Sequence, residues 1–171
     1  MLGTLSLAAL IVLVTIVVSL CLCSVAEWVV HAKLFHNQAQ PVFYKGHRKH
    51  HDHTPDAPDD PIDRSNYALA AGAIAVALFA ATAGYLLSHF ILVFIPAAIV
   101  AGLYFGFLKE VHHRLHERTG IWLDTTRLFR YLRRHHAGHH HHEDRNFCIL
   151  FPFADVLLGT LYVRKRSRVT P

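Results

Sequence analysis

Three long apolar runs, separated by polar segments of different character, organise this chain. Residues 2–30, LGTLSLAALIVLVTIVVSLCLCSVAEWVV, hold one charged group, Glu27, close to the end of the run. As a helix rising about 1.5 Å per residue, the run extends about 43 Å, more than the roughly 30 Å of hydrocarbon in a bilayer. A cleaved signal peptide would start with positive charge and have a shorter core. Trp28 near the end suits a membrane interface. A second run, YALAAGAIAVALFAATAGYLL at 67–87, is rich in small residues that permit close helix approach. Ser88-His89 is the only polar break before a third run, which Pro96 kinks or starts. The pattern predicts spans at about 4–30, 67–87 and 90–110, the last two forming a tight hairpin with His89 at its tip.

The remaining segments read differently. Residues 32–66 are polar, with four prolines between Pro41 and Pro61 and the acidic run DAPDDPID. They predict a partly helical connection on the water side, stiffened by a proline loop at 55–63. IWLDTTRLFRYLRR, 121–134, is amphipathic and predicts a helix lying in the interface. CILFPFADVLLGTLY is broken by Pro152 and too short to cross, so it predicts a buried or interfacial helix starting near Ala154. The fold class is therefore an all-α integral membrane protein with three, at most four, transmembrane helices, read as one domain over 1–171.

Composition agrees: 53% of residues are hydrophobic and 17% charged, with mean hydropathy +0.28. The net charge of +5 matters through its placement. No Lys or Arg precedes Lys33, and none lies between Arg64 and Lys109. Basic residues flanking apolar spans follow the positive-inside rule, which argues against a nucleic-acid partner. Three crossings put every histidine except His89, and every basic residue, on one side, expected to be cytoplasmic. The expected location is a bacterial inner membrane rather than the endoplasmic reticulum. Cys21, Cys23 and Cys148 make no disulfide framework, and the Cys21-Cys23 pair reads as apolar filler.

Sixteen histidines change the picture. Four groups have ligand-like spacing: His31-x4-His36; His47, His50 and His51; His112 and His116; and His136, His139 and His140. Offsets of three or four return to one helical face, where neutral imidazoles can share an ion. His31 and His36 fall about 140° apart on an ideal helix, so they serve different metals or the helix breaks between them. Ten imidazoles exceed one zinc site and match two metals with four or five each; iron, manganese and zinc all accept imidazole. Glu27, four residues before His31, is the best candidate to orient a ligand from behind, with His113 and His135 as further ligands or supports. His53 is an even choice between bystander and support, and His141 and His142 read as surface residues. No catalytic residue beyond the ligands is indicated.

Together these segments resemble the fatty acid hydroxylase/sterol desaturase superfamily. EWVVHAKLFH (27–36), HRKHH (47–51), HHRLH (112–116) and HHAGHHHHEDRNF look like its histidine boxes, in order. Asn146, Phe147, Asp155, Gly159 and Thr160 match its ending; position 148 is Cys where the family often has Gly. The resemblance implies a dinuclear centre, expected to be iron, with zinc a form met on purification. It implies O2 and two electrons used to insert oxygen into an unactivated C–H bond of a lipid, whether fatty acyl, sterol or another apolar chain. Electrons would come from a separate partner, a ferredoxin or a cytochrome b-type protein with its reductase, because this sequence has no nucleotide, haem or iron–sulfur motif. A desaturase or carotenoid hydroxylase on the same scaffold is the alternative. From another class, a metal carrier would want ionisable residues in its spans, and 67–87 contains no Asp, Glu, Lys, Arg or His.

Overall fold

A computed structural model describes residues 2–52, 64–116, 120 and 122–163. His53, the proline loop at 55–63, Glu117, Ile121 and the basic tail lie outside the described residues. Six α-helices follow in order: α1 Leu2–Val29, α2 Pro41–His51, α3 Arg64–Leu86, α4 Phe90–His116, α5 Arg127–His141 and α6 Phe153–Leu157. A π-helical segment, Val30–Phe35, continues α1, and a 3-10 turn, Trp122–Thr125, precedes α5. There is no strand among the described residues.

Among the described residues, three stretches are long and apolar enough to cross a membrane: Leu7–Phe35, Ala68–Leu86 and Phe90–His116. They pack into a bundle in which α3 and α4 make the largest contact and α1 lies against both. Small residues permit this. A side chain on Gly84 would meet the Phe90 backbone at 3.0 Å, and one on Gly72 would meet the Phe105 ring at 3.3 Å. The bundle core gathers Cys23, Val76, Ala101, Tyr104, Phe105 and Leu108. Leu13, Leu78, Ile91 and Phe107 point outward, as lipid-facing residues do. Pro96 sits inside α4, which runs unbroken past the apolar run to His116. The last span therefore delivers ligands directly from its own end.

The cap beneath the bundle is built from short, well-terminated pieces. The Asn37 side chain accepts a bond from the Ala39 amide, which shapes the turn after the π segment, and Pro41 opens α2 with its preset φ. Thr126 caps α5, its hydroxyl accepting from the Phe129 amide at 3.2 Å. The amphipathic helix expected in the interface is α5, and its apolar residues Phe129 and Leu132 pack into the core instead. Among the described residues, Trp122, Leu128 and Tyr131 remain outward. The last apolar piece is the short α6, docked on α1.

Candidate metal centre

The ten spaced histidines come together as two groups of five. His31, His36, His47, His51 and His139 form the first; His50, His112, His116, His136 and His140 form the second. Within each group the candidate ligand atoms all lie within 4.8 Å of one another. Helices α2 and α5 each serve both groups. On α2, His47 and His51 turn to the first and His50 to the second. On α5, His139 turns to the first and His136 and His140 to the second.

The π segment resolves the odd spacing of the first pair. Its bonds run from residue i to i+5, as in His36 N–H to His31 O at 3.1 Å. That wider turn brings residues five apart onto one face. His31 and His36 therefore face the same group, with ring centroids 5.3 Å apart, and the different-metals alternative does not hold.

The nitrogen geometry tests whether a cation fits. His47 Nε2 lies 3.1, 2.9 and 3.0 Å from the Nε2 atoms of His31, His36 and His51. His136 Nε2 lies 3.0, 2.8 and 3.1 Å from those of His112, His116 and His140. A neutral ring nitrogen carries one proton or one lone pair, so it cannot bond three others. Lone pairs converging in this way repel unless a positive ion lies among them. Two nitrogens about 2.1 Å from one ion and at right angles to each other are about 3 Å apart, so the spacing fits five or six ligands better than a tetrahedron. The residues present fit one metal ion per group.

Proton placement agrees. The Nδ1–H of His31 donates to the Phe147 carbonyl at 2.5 Å, and that of His139 to the Arg145 carbonyl at 2.7 Å. A carbonyl only accepts, so in each neutral ring Nε2 keeps its lone pair. Burial lowers the pKa of His36 and His139 to about 4 and that of His51 to about 2. The second cause is the Arg48 charge for His36 and neighbouring imidazoles for His51. Burial and crowding by imidazoles push His47 and His136 the same way. These rings are neutral at pH 7, the form that ligates.

The two pinning carbonyls belong to a loop, 145–149, held by buried polar groups. Asp155, fully buried, accepts from the amides of Phe147 and Cys148 and from the Thr160 hydroxyl. It also lies 3.2 Å from His135 Nε2. Burial raises its pKa, but these bonds outweigh it and hold the carboxyl below its usual range. Asn146, at φ 53°, donates to the His135 and Tyr162 carbonyls. Glu27 touches no ring: it accepts from the Ile149 amide at 2.6 Å and the Tyr104 hydroxyl at 2.5 Å. Its support for His31 thus runs through the loop. Ser24 joins α1 to α6, accepting from the Ala154 amide. Cys148 lies fully buried beside it, its Sγ 3.4 Å from the Ser24 hydroxyl, and burial pushes the thiol well up.

Of the remaining candidates, His135 braces Asp155 and enters neither group. His113 is exposed and also outside both; His141 and His142 are exposed, the latter ring 4.4 Å from Tyr162. Ser24 and Tyr104 were not singled out in the sequence. Ser24 lies in an apolar run, and Tyr104 is a lone hydroxyl in another.

An apolar cleft lies between α3 and α4. Leu69, Ala70 and Ala73 of α3 and Gly102, Phe105 and Gly106 of α4 line a volume of about 350 Å³, with Lys109 at its histidine end. Gly102, Gly106, Lys109, His113 and His116 recur at alternating steps of four and three. The cleft and the exposed edge of the second group therefore share one face of α4.

Fold and site together define an integral membrane protein, helical throughout its described residues, with two histidine clusters that could hold metal ions. The fatty acid hydroxylase family model matches residues 16–160, and the chain belongs to that family. No curated protein and no solved structure matched the chain. Membership makes it a membrane oxidoreductase of the lipid hydroxylase or desaturase type, acting with O2 on a lipid.

Proposed function

We propose that this protein is a di-iron hydroxylase that places one oxygen atom of O2 into an unactivated C–H bond of a lipid acyl chain. The observation that carries the proposal is the convergence of ten imidazoles into two five-membered groups. Bound there, iron would supply O2 activation, which no side chain of this protein performs alone. The other oxygen atom leaves as water, consuming two electrons and two protons. His31, His36, His47, His51 and His139 hold one ion, and His50, His112, His116, His136 and His140 the other. Right-angled spacing of neutral nitrogens favours iron over tetrahedral zinc. The acyl chain lies in the α3–α4 cleft, whose apolar walls exclude water and whose α4 face leads to His116. The histidine side faces the cytoplasm, in keeping with the basic residues around it. Electrons arrive from a separate ferredoxin or cytochrome b-type protein.

The test is lipid mass spectrometry of cells with and without the protein, paired with metal analysis of purified wild type and His139→Ala. The wild type should hold about two irons per chain and add one oxygen to a defined lipid. His139→Ala, stripping a fully buried imidazole from the first group, should lose both metal and product. Product formed without metal would refute the proposal. Loss of two hydrogens in place of gained oxygen would make the reaction a desaturation.

A further inference from the structure

Helix α5 has two unlike faces. Inward lie Phe129, Leu132, His135, His136 and His139, all buried. Outward lie Arg127, Arg130, Arg134 and His141, all exposed. At about 100° per residue these four fall within roughly 60° of arc. No acidic residue occurs in α5. Among the described residues, Arg127, Arg130 and Arg134 have no ion pair, although acids are close by in the cap. Those acids are already engaged: Asp52 and Glu143 with Arg48, Glu110 with Arg114, Asp124 with Arg133, Asp144 with Arg145. The fourth α5 arginine shows the contrast. Arg133 turns inward and donates to the Leu115 and Arg114 carbonyls as well as to Asp124. It braces the fold; the other three brace nothing. Like charges at three- and four-residue spacing destabilise an isolated helix.

We infer that this outward face of α5 is the docking surface for the electron donor, an acidic one-electron carrier protein. The inference rests on the oxygenase reading above. Each encounter oxidises the donor by one electron, and two encounters supply the two electrons of one turnover. Three observations select this partner. The charge is concentrated and, among the described residues, unneutralised, which steers an acidic protein at long range. The face lies on the opposite side of a single helix, about 10 Å across, from imidazoles of both groups. The second half of the stripe, Arg134 to His141, runs into the exposed polar residues His142–Arg145, and the only exposed apolar side chain along it is the small Ala137. A helix seated on lipid headgroups carries apolar residues along its length; here the large outward ones, Leu128 and Tyr131, are confined to the first half of α5.

The test uses full-length protein in nanodiscs of neutral phosphatidylcholine, with a strongly acidic [2Fe–2S] ferredoxin as the probe. The variant R127E/R130E/R134E should raise the ferredoxin Kd about tenfold or more at low salt and flatten its salt dependence. The neutralising variant R127Q/R130Q/R134Q should fall between it and wild type. Metal content and dithionite-driven product should match wild type in both. An unchanged Kd with intact salt dependence overturns the inference. So does an equal loss with dithionite and with ferredoxin, or a difference confined to nanodiscs containing anionic lipid. If wild type binds ferredoxin through these arginines but forms no product with any reductant, docking stands and the oxygenase reading fails.

Discussion

The two imidazole groups are alike in number and unlike in setting. The first sits under the end of α1, and His31 and His139 in it are almost wholly buried. Their far nitrogens are fixed by carbonyls of a loop that Asp155, Asn146 and Glu27 hold in place. The second hangs from the end of the α4 span. His116 in it is exposed, and the buried Nδ1 of His136 has no hydrogen-bond partner among the described residues. One group is braced by the fold, and the other is reached along a helix face from an apolar cleft. In the proposed reaction the braced group holds its ion rigidly and the open group meets the substrate.

The strongest way to break this contrast is to remove the brace. Asp155→Ala leaves the Phe147 and Cys148 amides and the Thr160 hydroxyl without their acceptor. The expected cost is about 3 kcal/mol or more, enough to unfold a marginal protein. If the variant folds, chelator titration should release the first ion before the second. Equal release of both would show that the brace serves the whole cap. Thermal unfolding and metal stoichiometry read the two effects.

Filling the cleft attacks the other side of the contrast. A Cβ built on Gly106 meets nothing within 4 Å, so the side chain of Gly106→Leu starts into open space at the cleft. Glycine inside a helix costs about 1 kcal/mol relative to alanine, so the substitution should not destabilise the bundle. Product formation should fall about tenfold or more while both ions stay bound. Full activity on every lipid tested would remove the cleft from the substrate path.

Acid acts on the braced group through its neutral rings. His36 and His139 titrate near pH 4 in the folded chain and near 6.5 in the unfolded one. Between those values the unfolded state binds more protons, so stability rises with pH. It is fully present above about pH 6.5 and is lost as pH falls toward 4. Metal-free protein should therefore melt at a lower temperature at pH 5 than at pH 7.5, and His36→Ala should lessen the difference. A melting temperature that does not move would mean these rings are not held neutral.

How far this arrangement can be read from the chain depends on which residues carry it. The three spans follow from apolar runs longer than a bilayer, and the hairpin from Ser88-His89. Eight of the ten histidines follow from steps of three and four, and His31 and His36 from a step of five. Their division into two groups does not, because α2 and α5 each send neighbouring residues to different groups, and that depends on how helices cross. The His31–His36 pair defied ideal-helix geometry because a π segment replaces the α turn. Glu27, expected to orient a ligand from behind, accepts instead from the Ile149 amide 122 positions away, a pairing that no local spacing encodes. Cys148 drew notice as a departure; its contact with Ser24 appears only when α1 meets the loop.

The smallest expected effect tests whether histidine density or histidine position matters. Residues 139–142 are four consecutive imidazoles, and equal spacing along a chain would suggest equal roles. Helix geometry separates them by about 100° per step. His139 turns to the braced group and His140 to the open one, His141 joins the outward stripe, and His142 ends the helix against Tyr162. His142→Ala should leave stability within about 0.5 kcal/mol of wild type. Both ions should stay bound and the rate should not change. A lost ion would mean that the run acts as a pool of interchangeable ligands, and the division into one braced and one open group would have to be abandoned.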